Sequence, residues 1–199
     1  MKKYMKSEVT AYLRSLSAKT IVPGGGSASA LEAALGVALN IMVINFSVKK
    51  ALPVSRKALA IDKKMSERSL KKLVKLSDDD SKVFSKLMEA ISTGKGLRTR
   101  YMKAALVPLE VSRECLLASE VSRRLASYGN RNLLTDVGCA ANMLRSAFSS
   151  ARLNVLINLK YMGDKAFACK TAAELDKIGD HIDEAAAEVL ALVENSIRP

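Results

Sequence analysis

The chain has no tryptophan, a single histidine and few aromatic residues of any kind (5%) among its 199 positions. Each shortage removes a class of function. One histidine, His181, cannot supply a histidine-rich metal site, and it argues against a histidine-based nucleophilic triad. It falls in a charged C-terminal segment, where a solvated helix position is its expected role. With so few aromatics interleaved among its lysines and arginines, the chain lacks the stacking platforms of a nucleic-acid binder. Cysteine is equally sparse. Cys115, Cys139 and Cys169 are odd in number and far apart, a pattern that indicates neither a disulfide framework nor a Cys-x-x-Cys metal site. Each falls in a helical apolar pattern and reads as a small buried hydrophobe of a reducing cytoplasm. Long clean apolar runs are missing too. The longest, Ala28 to Phe46, carries Glu32, Asn40 and Asn45, and reads as a core helix rather than a membrane span. The basic N-terminus has no apolar run behind it and does not read as a signal peptide.

What the sequence does have is alanine, leucine, serine, lysine and valine, a composition suited to helices packed through small residues. The length fits one domain over residues 1–199. A formal net charge of +12 attracts anionic ligands, nucleic acid or membrane headgroups alike. The basic pairs are scattered, as for a solvated lysine-rich face, and do not form one nucleic-acid-binding arm. Apolar spacing predicts a short helix from Ser7 to about Ala18, then one capped by Ser27 and running to about Val48. In that second helix Leu31, Leu35, Leu39, Met42 and Phe46 share one side, while Ala30, Ala34 and Ala38, with Gly36 nearby, leave another thin enough for a neighbouring helix. A third helix, capped by Ser55, spans nearly forty residues with a place to bend at "SDDDS". A fourth follows from Leu97 to Ala126, with a kink expected at Pro108. After the loop "SYGNRN" the pattern resumes at Leu133. It leads into "LNVLINLKYM", which local propensity allows as helix or strand and whose Asn-x-x-x-Asn spacing favours helix. A final helix occupies the C-terminal segment.

Three stretches could carry chemistry. In "VPGGGSAS" a proline stiffens the entry, Gly24, Gly25 and Gly26 free the backbone N–H groups, and Ser27 opens a helix. The result is either an anion cradle or a tight packing turn. It is no Walker loop, since no Gly-Lys-Ser/Thr follows, and no dinucleotide fingerprint, since no strand precedes it. In "GNRNLLTD" Asn132 and Asp136 lie four apart, sharing a helix face, with Asn130 just before. Asn154 and Asn158 are likewise four apart. A buried amide without a partner costs about 1–3 kcal/mol, so these asparagines either brace the bundle or meet a ligand. The run Asp78 to Asp80 lacks the spaced ligands and glycine of a calcium loop. A charge cluster at a helix bend is its simpler reading, and Asp80, one turn before Phe84, is the member of interest.

Taken together and in order, "PGGGSASALEAALGVALNIMVINFSVKK", "DSKVF", "VPLEV", "GNRNLLTDVGCAA" and "LNVLINL" resemble the cyclodeaminase/cyclohydrolase family of folate enzymes. The likeness covers about Val22 to Asp164. It implies an all-α, elongated up-and-down bundle of long helices, assembling as a homodimer with a folate cleft near the interface and needing no metal or redox cofactor. It makes Gly24, Gly25, Gly26 and Ser27 part of the folate site, Asn130, Asn132, Asn154 and Asn158 the polar wall, and Asp136 the catalytic carboxylate, with Asp80 and Asp164 in reserve. Lys49 falls at a basic position that could meet a glutamate tail. The implied reaction closes 5-formimidoyl-tetrahydrofolate to 5,10-methenyl-tetrahydrofolate and ammonia. Methenyl-tetrahydrofolate cyclohydrolysis, or folate or anion binding without catalysis, are the alternatives. The implied partners are tetrahydrofolate, with or without a polyglutamate tail, and a separate formiminotransferase, with neither nucleic acid nor membrane. Outside the resemblance, a basic binding module and a purely structural helical oligomer remain as readings of the same residues.

Overall fold

The computed structural model of the protein describes residues 9–48 and 53–198. Among these there are six α-helices, one 3-10 turn and no strand. They are α1 (Val9–Leu16), α2 (Gly25–Ser47), α3 (Pro53–Thr93), α4 (Leu97–Tyr128), the turn Arg131–Leu133, α5 (Leu134–Met162) and α6 (Lys165–Ile197). At 1.5 Å per residue the 41 residues of α3 reach about 60 Å, so the bundle is elongated. The helix runs through Asp78–Asp80 without interruption, and α4 likewise continues through Pro108. The ambiguous segment "LNVLINLKYM" is helical, the last part of α5.

Helix α4 packs against α2, α3, α5 and α6, while α2 lies between α3 and α5. The core is built from small and medium side chains: Ala30, Ala33, Val37, Leu73, Val111, Cys115, Leu144, Ala147, Val155 and Leu175 are fully or almost fully buried. Gly36 sets the closest approach. A Cβ there would lie 3.0 Å from Leu144 Cγ and 3.2 Å from the Ala140 carbonyl, so α2 and α5 pack nearly backbone to backbone. A buried amide is paired across these contacts: Asn40 donates to the Ala118 carbonyl (3.1 Å) and to Ser122 Oγ (2.9 Å).

Two local expectations are corrected. Ser27 does not cap α2. The helix begins two residues earlier, with Gly24 in the extended N-cap position, and Ser27 lies buried inside the first turn. Of the cysteines only Cys115 is buried, whereas Cys139 and Cys169 are exposed. The thin side of α2 does meet a neighbouring helix, and Ala30, Ala34, Val37, Val43 and Ile44 enter the core, while the stripe of larger side chains turns outward. Leu35 is 51% and Phe46 61% exposed, and Leu31, Leu39 and Met42 are half-buried. The outward side of α5 beside them carries Cys139, Asn142, Ser146, Ser149, Leu153 and Ile157, all exposed and uncharged, and ends at the exposed Lys160. The charged Arg145 and Arg152 turn the other way, to Asp183 and Asp176 of α6. Among the described residues one helix, α2, is long and apolar enough to cross a membrane by composition, but more than half of it is buried in the fold.

Candidate active site

The glycine segment, α3 and the C-terminal half of α5 enclose a cleft of about 260 Å³. Gly24, Gly25, Gly26, Asp80 and Asn154 line its inner end, and Asn158 lines it one turn further along α5. The close fit of Asp80 against α2 explains one of the glycines. A Cβ on Gly26 would lie 2.1 Å from Asp80 Oδ1, inside any permissible contact, so only glycine lets the carboxylate reach the first turn of α2. There it accepts a hydrogen bond from the Ser27 backbone N–H. Burial pushes its pKa up to about 6, against the opposing effect of that hydrogen bond. Gly25 is looser, its Cβ position being 3.4 Å from Asn154 Nδ2, and nothing lies within 4 Å of that on Gly24.

Behind the cleft, hydroxyls fix this end of α2. Ser27 Oγ lies 2.8 Å from Ser77 Oγ and 3.1 Å from the hydroxyl of buried Tyr12, and Ser77 also donates to the Ser27 carbonyl (3.1 Å). Ser27 therefore serves the cleft by positioning Asp80, from behind the wall. The asparagines hold themselves by their amide donors: Asn154 to the Ser150 carbonyl (2.9 Å), Asn158 to the carbonyls of Asn154 (2.7 Å) and Ala104 (3.3 Å). Their side-chain carbonyls are left to accept from a ligand.

Asn130, Asn132 and Asp136 lie elsewhere. The Asn130 side chain accepts from the Asn132 N–H (3.1 Å), and its own N–H donates to Ser47 Oγ (2.9 Å) at the far end of α2. Asp136 is half-buried in the first turn of α5. The 22 steps from Gly25 to Ser47 amount to about 33 Å, so one chain does not bring these three residues to the glycines, and the single cleft wall expected from sequence is divided between two ends of the bundle. Asp164 caps α6, accepting from the Phe167 N–H (3.0 Å), and pairs with Arg98. Its pKa is lowered by that backbone hydrogen bond first and Arg98 second, the signature of a structural carboxylate. Lys49 lies outside the described residues.

The outer half of the cleft was not anticipated in full. Phe84, Met88, Tyr101, Ile157 and Tyr161 line it, and only Phe84 carried a signal, by its four-residue spacing from Asp80. A second cleft of about 310 Å³ lies between α3 and α4, and most of its charges are paired with one another. Lys72 bridges Glu110 (2.6 Å) and Glu114 (2.8 Å), Ser69 donates to Glu114, and Arg113 pairs with Glu110 and Glu174.

Comparison with known proteins decides the family. The model of the formiminotransferase-cyclodeaminase family matches residues 8–177. The chain belongs to this family. Among related proteins, the formimidoyltransferase-cyclodeaminase of Gallus gallus is 32% identical over 92% of this chain, and the methenyltetrahydrofolate cyclohydrolase of Methylorubrum extorquens is 31% identical over 84% of it. This family member spans 36% of the chicken protein's length and 86% of the bacterial one's. The formiminotetrahydrofolate cyclodeaminase of Thermotoga maritima has the same fold, with a TM-score of 0.94 at 28% identity, over 97% of this chain and 98% of the other. Membership makes the chain one of a group whose named relatives act on folate derivatives.

Proposed function

We propose that the protein is a formimidoyl-tetrahydrofolate cyclodeaminase, with the cleft at the glycine end of α2 as its reaction site. The observation that carries this reading is Asp80, a carboxylate desolvated enough to exchange a proton near neutrality, held in place by a glycine that exists to admit it. The substrate is a cationic amidinium. N10 attacks the formimino carbon on N5, forming the new C–N bond, and the N10 proton passes to Asp80. Asp80 returns that proton to the amino group of the tetrahedral aminal, the C–N bond breaks and ammonia leaves. The positive charge ends on the 5,10-methenyl bridge. No electron is gained or lost, so a carboxylate that first takes and then gives the proton meets the demands of the step. The side-chain carbonyls of Asn154 and Asn158 suit the N–H edge of a pterin.

A homodimer belongs to the same proposal. The largely apolar outer face of α2 and α5, with Leu35, Phe46, Leu153 and Ile157 exposed on it and Lys160 at one end, suits burial against a second copy. A two-fold axis lying in that face and crossing the helices at mid-length would reverse their direction. The Asn130, Asn132 and Asp136 end of one copy would then meet the Asp80 and Asn154 end of the other, which reunites the residues that the family resemblance assigns to one cleft.

The second reading, methenyl-tetrahydrofolate cyclohydrolysis, is favoured by the Methylorubrum extorquens relative, which this chain nearly matches in length. Parallel incubation with 5-formimidoyl- and 5,10-methenyl-tetrahydrofolate, following methenyl absorbance and ammonia, separates the two. The expected result is methenyl formation with stoichiometric ammonia from the first substrate. Methenyl loss without ammonia would transfer the assignment to the hydrolase, and no change in either would remove both. In the same assay Gly26→Ala, which displaces the Asp80 carboxylate, is expected to cost about 10²-fold in turnover. Gly25→Ala, with room for its methyl, should stay within a few-fold of wild type.

A further inference from the structure

We propose that Tyr161, stacked on Tyr101, is a specificity determinant that grips the p-aminobenzoyl ring of the folate; this rests on the folate reading of the cleft. In a chain so poor in aromatics, two of the five tyrosines and one of the four phenylalanines line this one cavity. Their placement is ordered. Asp80 and Asn154 stand at the inner end beside the glycines. Phe84 follows one turn outward on α3, and Tyr161 lies seven residues beyond Asn154 on α5, about 10 Å along the helix. Tyr161 is 57% exposed and Phe84 37%, large apolar surfaces left in water at the rim of a cleft rather than packed away.

The two tyrosine rings lie 5.9 Å apart at 29°, an offset stack that holds Tyr161, and Lys160 Nζ lies 5.6 Å from the Tyr161 ring centroid, with more than half of the residue still exposed at the cleft. In folates the p-aminobenzoyl ring is bonded directly to N10, the nitrogen that attacks. With N10 beside Asp80, the ring has to lie on the outward side of the reacting atoms, where Phe84, Ile157 and Tyr161 stand. Gripping that ring fixes the direction from which N10 approaches and rejects pterins that lack it. Tyr161 contacts the ring, and Tyr101 is a positioning residue that acts through Tyr161.

The test uses two probes. N-(4-aminobenzoyl)glutamate carries the ring and the nitrogen that corresponds to N10 but neither the pterin nor the formimino carbon, and its binding by calorimetry is independent of turnover. Wild type is expected to bind it, with Tyr161→Ala about tenfold weaker and Tyr161→Phe within about twofold. In steady state Tyr161→Ala should raise KM for the folate substrate about tenfold with kcat largely kept, and Tyr101→Leu should do so by less. Because Tyr161 is exposed, its replacement is expected to leave the melting temperature unchanged. Equal binding of the probe by wild type and Tyr161→Ala, or an unchanged KM, would overturn the proposal. A wild type that binds the probe but turns over neither folate would overturn the reaction assignment while leaving the ring slot intact.

Discussion

Asp80→Asn is expected to lower cyclodeaminase turnover by about 10²–10⁴-fold, the usual contribution of a positioned proton-transfer group, while making the protein more stable at neutral pH. The amide keeps an oxygen to accept the Ser27 N–H but can neither take the N10 proton nor return it. The sign of the stability change follows from the raised pKa. Between the ordinary carboxylate value of 3.8 and about 6, the folded state binds a proton that the unfolded state does not. Stability therefore falls as pH rises through that window, and above it the charged, desolvated carboxylate carries a penalty of up to about 3 kcal/mol. Asparagine removes the penalty. Calorimetry at pH 7.5 should show a higher melting temperature for the variant, and at pH 4 the difference should disappear. A variant that is both inactive and destabilised at pH 7.5 would mark Asp80 as a structural residue.

Mixing two inactive variants should restore activity. If Asp136 of one copy completes the cleft that holds Asp80 of the other, the Asp80→Asn and Asp136→Asn homodimers are each defective at both sites. In a mixed dimer both substitutions fall at one site and the other is intact. Random exchange makes half the dimers mixed, so roughly a quarter of wild-type activity is expected after co-refolding. The two proteins kept apart should show none of this gain. Restoration to no more than the sum of the separate variants would place both residues in one chain's function, or leave Asp136 outside the mechanism. Full activity of Asp136→Asn alone would remove it directly.

Much of this architecture was legible in the sequence, and the failures share a cause. Helix boundaries followed from glycine, proline and apolar period, since those signals are local. That the alanine and glycine side of α2 would admit a neighbouring helix was legible, but which helix was not, because the spacing of Leu31, Leu35 and Phe46 identifies an apolar stripe without saying which partner covers it. Gly36 and the alanines decide the matter through a close approach to α5, which is a property of two helices at once. The same limit applies to the candidate site. "PGGGS" and "LNVLINL" do meet, but "GNRNLLTD" lies a helix length away, because order along the chain does not fix which end of a long antiparallel pair a motif occupies. Asp80 stood out from the three aspartates only by its spacing from Phe84, and ranked behind Asp136. Its burial, and the glycine that admits it, come from the packing of α3 on α2. Tyr101 and Tyr161 had no local signature at all, lying on different helices and meeting only in the fold.

The pH dependence of kcat/KM for ammonia release, measured from pH 5 to pH 8 in wild type and in Asp80→Asn, tests the assignment of Asp80 most directly. Since kcat/KM reports the free enzyme, wild type should lose activity about tenfold per pH unit below an apparent pKa of about 6, and the residual activity of the variant should show no such limb. A limb that persists unchanged in Asp80→Asn, with turnover near that of wild type, would contradict it and return the proton transfer to another group.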